Sequence, residues 1–263
     1  MSESKSTKTL IAWTDLTANF WMGCSKISEG CRNCYAATLT KNRMGLDVWG
    51  PSKERPAVKN VFGKLRAQNR DMAAGDPSVQ GAGKPHLVFV GSLMDWAEDH
   101  EGAAVLRPLM WETIRQYPGL HFQLLTKRAD RIAQCLPPDW GDGYENVWLG
   151  TSIEDMRVAH RADCLRDIPA AVRFISYEPA LGSLDAIDLR GIDWVIVGGE
   201  SGSGYRIMDH AWARSMRDKC HAEGVSFFFK QSSAHRTEMG IELDGEIVRE
   251  FPEPRWAHEA TRS

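Results

Sequence analysis

Six short apolar runs, rich in β-branched and aromatic residues, recur through the latter two-thirds of the chain and restrict its fold more than any other feature. They cover residues 87–90, 121–125, 147–149, 172–175, 194–197 and 226–229. Runs this short and this continuous fit strands covered on both faces, as in a parallel sheet. Between them lie stretches with helical spacing: Leu106, Leu109, Met110 and Ile114, then Val158, Ala162 and Leu165, then Trp212, Met216 and Cys220. Strand followed by helix, repeated, is the pattern of a βα-repeat fold. A further strand over residues 9–13 brings the number of units to about seven, so the expected fold is α/β, a full or partial TIM-type (β/α) barrel. No glycine-rich dinucleotide fingerprint follows that first strand, which disfavours an open doubly wound sheet.

The remaining segments hang on this frame. Helices are predicted over residues 35–44 and 61–72, the second inside a long polar connection spanning 45–85. The pair Asp244-Gly245 between alternating residues signals a small C-terminal β-hairpin. The domain division is then a polar tail over 1–8, a single barrel domain over 9–231, and a hairpin and tail over 232–263.

Composition narrows the function classes. With 43% hydrophobic and 25% charged residues, the chain is of ordinary globular type, neither disordered nor fibrous. Its polar start has no signal-peptide core, and no apolar run reaches membrane-spanning length, so a cytoplasmic location with reduced cysteines is expected. The net charge of -3 argues against a broad nonspecific nucleic-acid surface, which needs an excess of Lys and Arg. The chain has ten tryptophans, and those beside strands or on helices, Trp111, Trp148, Trp194 and Trp212, are expected to pack in the core.

Three of the six cysteines, Cys24, Cys31 and Cys34, fall within eleven positions of a loop punctuated by Gly23 and Gly30. Soft thiolates so close together suit an iron-sulfur cluster or zinc. Three ligands on a four-position centre leave one position open to a guest, unless a histidine such as His210 or His235 closes a zinc site. Three unligated thiols are the plain alternative. The other cysteines, Cys135, Cys164 and Cys220, lie in helical stretches and read as small buried hydrophobes.

Polar residues follow almost every predicted strand, where a parallel βα fold gathers its reactive groups. They include Ser92 and Asp95, Lys127 and Arg128, Ser152 and Glu154, Glu178, the run Gly198-Gly199-Glu200-Ser201-Gly202, and Lys230. Glu178 and Glu200 are placed to accept hydrogen bonds from an ammonium or a ribose hydroxyl, while Lys127, Arg128 and Lys230 suit an anionic group. Thr151, Ser152 and Asp209 also read as helix caps.

Several of these segments resemble a known family. They are Gly23-Cys24 through Cys34-Tyr35, Leu125-Thr126-Lys127-Arg128, Trp148-Leu149-Gly150-Thr151-Ser152, Ile175-Ser176-Tyr177-Glu178-Pro179, residues 193–202, and Phe227-Phe228-Phe229-Lys230-Gln231. The chain is similar in them to the phage-associated three-cysteine family related to radical S-adenosylmethionine proteins. That resemblance implies a radical-SAM-like barrel in which Cys24, Cys31 and Cys34 hold a 4Fe-4S cluster and S-adenosylmethionine occupies the open iron. The strand-end groups expected to hold that cofactor are Glu178, Gly198, Gly199, Glu200, Ser201, Ser152, Lys127 and Lys230. The resemblance further implies a radical enzyme, with nucleic acid or a modified base as the target and a partner protein encoded nearby. Two other functions compete: a zinc- or cluster-stabilised nucleic-acid-binding module, and a cluster-containing repair or photochemical enzyme.

Overall fold

The computed structural model describes residues 9–73 and 86–254. The expected polar tail over 1–8, part of the long connection (74–85) and the terminal tail from 255 lie outside the described residues. Seven parallel strands follow one another in chain order: β1 (Leu16–Ala18), β2 (His86–Val90), β3 (Leu120–Thr126), β4 (Val147–Ser152), β5 (Val172–Tyr177), β6 (Trp194–Gly198) and β7 (Ser226–Gln231). The helices are α1 (Tyr35–Met44), α2 (Val61–Ala73), α3 (Glu101–Gln116), α4 (Ile132–Cys135), α5 (His160–Arg166) and α6 (His210–Glu223). This is a curled, open sheet with alternating helices, a partial (β/α) barrel. Among the described residues no helix is long and apolar enough to cross a membrane.

Alternation along the strands sorts their side chains into two layers. One set, including Val88, Phe122, Leu149 and Val197, packs against Met110, Trp111, Leu165 and Met216 of the helices. The other set turns inward: Phe89, Trp148, Phe174, Trp194, Ile196 and Phe228 fill the barrel itself. The helix stripe is shifted slightly from its predicted face, since Leu109 is exposed while Trp111 is buried. Asp209 caps α6 as expected, accepting from Ala211 N at 2.8 Å. Thr151 and Ser152 are not caps but buried residues at the end of β4.

The first strand lies later than predicted. Residues 9–13 do not pair; instead Trp13 enters the barrel, its ring 4.5 Å from Phe89 and 6.3 Å from Trp194 between centroids. An apolar run consumed as a plug has the same composition as one consumed as a strand, so periodicity does not separate them.

The exposed side of β7 is covered by the chain's end, because Phe229 N donates to Val248 O at 2.8 Å and Glu250 N to Phe227 O at 3.0 Å. Phe251 stacks near Trp194 at 5.2 Å. The predicted hairpin is reduced to a tight turn, with Asp244 and Gly245 at φ 57 and 84 and one bridge between Leu243 and Glu246.

Candidate ligand-binding site

The inward-facing positions change character along each strand. At the base they are aromatic or aliphatic. At the carboxyl end they become Lys127 after β3, Ser152 on β4, Ser176 then Glu178 on and after β5, Gly198 on β6, and Lys230 on β7. The same two-residue alternation that packs the barrel therefore delivers a polar ring to its mouth. A cavity of about 430 Å³ opens there, floored by Trp13 and Phe89 and walled on one side by the loop from Cys24 to Tyr35. That volume falls in the usual range for a small-molecule site.

Of the residues expected to line the site, Lys127, Ser152, Glu178, Gly199, Glu200, Ser201 and Lys230 all border this cavity. Gly198 does not border it but stands beneath Glu178: a Cβ there would lie 2.3 Å from Glu178 Oε1. Gly199 is held equally close to the chain after β7, where a Cβ would meet Ser233 N at 2.3 Å.

The charges of the mouth come in pairs. Lys230 Nζ donates to Glu178 Oε1 at 2.8 Å, with both side chains largely buried. Arg206 Nε donates to Glu200 Oε2 at 3.0 Å, and Asn33 Nδ2 donates to the same oxygen at 2.9 Å. Burial pushes the Glu200 carboxyl up, but Arg206 and Asn33 outweigh it and hold the group below the usual carboxylate range. Arg128 Nη1 pairs with Asp95 Oδ2 at 2.7 Å, and Lys127 Nζ stands 3.7 Å from Glu154 Oε1.

The cysteine loop is fastened by carboxylates and cations that follow the strands. Glu98 Oε1 accepts from Ser25 N at 2.7 Å, and Arg128 Nη2 donates to Ser25 O at 2.8 Å. Ser28 Oγ donates to Glu154 Oε1 at 2.7 Å, and Arg206 Nη2 to Glu29 O at 3.1 Å. Glu98 is itself paired with Arg55 Nε at 2.7 Å, in an ion pair shut off from water. Sequence reasoning missed Arg55, Asn33 and Arg206. Each comes from an irregular segment where no periodicity marks which polar residue will face inward.

Cys24, Cys31 and Cys34 all border the cavity, yet they do not form the expected metal centre. Among the described residues no group of three or more His, Cys, Asp or Glu side chains is placed to hold a metal ion. Cys24 has other partners: its Sγ donates to Ser25 O at 3.3 Å and lies 3.4 Å from Arg128 Nη1. Burial first, then the Asp95 carboxylate, push its thiol well above the ordinary range. The zinc alternative fails on the same ground, since His210 Nε2 is engaged by Ser232 Oγ at 2.8 Å and His235 packs against Tyr205. The 4Fe-4S cluster, S-adenosylmethionine on its open iron, the radical enzyme, the metal-stabilised nucleic-acid module and the cluster-based photochemical enzyme are therefore corrected together. None finds the donor set it needs among the described residues.

The family model that matches is described as "Protein of unknown function (DUF5131)" and covers residues 8–252. Because the described residues hold no group of side chains placed to bind a metal, and the matching family is described only as of unknown function, the resemblance to the three-cysteine radical family is corrected as well. No curated protein matches the chain, and no solved structure does.

Proposed function

We propose that this chain, which belongs to the DUF5131 family, binds a molecule with a planar ring bearing hydroxyl or amino groups, of nucleoside size, in the mouth of its barrel. One observation carries the reading: the cavity has an aromatic floor, Trp13 and Phe89, beneath a rim of carboxylates and hydroxyls. An apolar ring buries surface against such a floor, while Glu178, Glu200, Ser152 and Ser201 accept from its substituents. Gly198 and Gly199 let the rim close in without side chains of their own. Lys127 and Lys230 on the rim, and Arg128 and Arg206 behind it, each face a carboxylate, whereas Lys26 and Arg236 border the cavity with no ion pair among the described residues. A base still held in a nucleic acid would bring its phosphates to a chain of net charge -3. A cytoplasmic setting belongs to the same proposal, as all six cysteines are free thiols.

The test is a titration of adenosine, guanosine, cytidine and uridine, and of their 5′-monophosphates, followed by tryptophan fluorescence and calorimetry. Saturable binding of at least one nucleoside is expected. It should be weaker by at least about tenfold in Glu178→Gln, which leaves Lys230 without its counter-charge. No saturable binding by any nucleoside, or binding indifferent to Glu178→Gln, would overturn the reading.

A further inference from the structure

Cys31 and Cys34 stand apart from the other four thiols. Cys24 is tied to Arg128, Cys135 and Cys220 are buried, and Cys164 lies on α5 away from the cavity. Cys31 and Cys34 are both half-exposed, both free and both on the cavity wall. They are separated by Arg32 and Asn33, which form a turn between a 3-10 turn ending at Cys31 and the start of α1, whose N-cap is Cys34. A four-residue turn brings its terminal Cα atoms within about 7 Å, which is the reach of a disulfide. Among the described residues no hydrogen bond engages Cys34 Sγ, and Cys31 Sγ has only Ser28 Oγ at 3.9 Å. Two thiols at this spacing, ahead of a helix in a βα fold, have the arrangement of a reversible dithiol.

We infer that Cys31 and Cys34 form a redox-active dithiol that closes to a disulfide on the cavity wall by exchange with a small disulfide such as oxidised glutathione. The thiolate of Cys34 attacks one glutathione sulfur; the glutathione disulfide bond breaks, and the first glutathione leaves and takes up the proton Cys34 gave up. The thiolate of Cys31 then attacks Cys34 Sγ in the mixed disulfide. The second glutathione departs as a thiolate and takes up the proton from Cys31. Two protein thiols are oxidised and one glutathione disulfide is reduced to two thiols. The step needs no ligand in the cavity, so it stands or falls separately from nucleoside binding.

The test uses the full chain, reduced and desalted anaerobically, then equilibrated with mixtures of reduced and oxidised glutathione, quenched in acid and alkylated. Trypsin cuts after Lys26, Arg32 and Lys41, so the disulfide would join the two otherwise separate peptides 27–32 and 33–41. The expected result is that linked pair, rising with the oxidised fraction and reversed by dithiothreitol. It should be absent in Cys31→Ser and in Cys34→Ser and retained in Cys24→Ser. Absence of the pair from the unaltered chain under fully oxidising mixtures would overturn the inference. A glutathione adduct that persists on one cysteine, or a bond to Cys24 instead, would do so equally.

Discussion

Glu98 and Arg55 make the strongest electrostatic commitment of single residues in this protein. Both side chains are almost wholly withdrawn from water, and Glu98 also receives the Ser25 amide that anchors the cysteine loop. Burial raises the Glu98 carboxyl, but Arg55 and Ser25 bring it below its usual range. Removing the charge in Glu98→Gln leaves a buried guanidinium with no counter-ion, expected to cost about 3–5 kcal/mol in urea unfolding. His121 makes the complementary case. Burial lowers its pKa from 6.5 to about 4, so the neutral ring is the one that fits beside Trp148. Between those values the unfolded chain binds more protons than the folded one. Stability therefore rises with pH from about 4 to about 6.5, and this contribution is lost on acidification. In His121→Phe that part of the pH dependence should disappear, as read from melting temperatures across the same range. A slope unchanged by the substitution would show that other groups carry it.

At the scale of elements, the end of β6 shows how a strand terminus becomes a binding edge. Gly198 and Gly199 occur where a side chain would strike Glu178 Oε1 in one case and the backbone of Ser233 in the other. The two collisions differ in kind. A carboxylate swings aside, so Gly198→Ala should displace Glu178 and weaken nucleoside binding while changing stability little. A backbone amide has nowhere to go, and Gly199→Ala should lower both binding and stability, the latter by about 1–3 kcal/mol. Calorimetric melting and nucleoside titration of the two variants side by side separate these outcomes. The strand ends themselves were legible in sequence, because each apolar run of β2 to β7 stops at a glycine or a polar residue. That Glu178 pairs with Lys230 and Glu200 with Arg206 was not, since those partners lie across a sheet or beyond an irregular loop.

For the whole molecule, the open seam of the barrel is the point of risk. β7 has an outer edge that would be free to pair with another chain, and the segment from Val248 to Phe251 covers it while Phe251 closes the barrel against Trp194 and Phe228. Phe251 is half-buried, so Phe251→Ala should cost about 2–3 kcal/mol and increase light scattering on heating. A variant with unchanged melting and scattering would remove this segment from the account of the fold. The strands β2 to β7 and their order were set by the chain's own alternation of apolar runs and helices, because short parallel strands with right-handed crossovers leave few other arrangements. Local rules also supplied the cap at Asp209 and the turn at Asp244-Gly245. What only the folded molecule decided was the use of the cysteine loop and of residues 9–13. Thiol spacing along a chain leaves open whether a guanidinium or a metal will stand beside the sulfur. Likewise an apolar run does not say whether its backbone will pair or its tryptophan will fill a void. Both depend on which side chains arrive from more than seventy residues away, as Arg128 reaches Cys24 and Phe89 reaches Trp13.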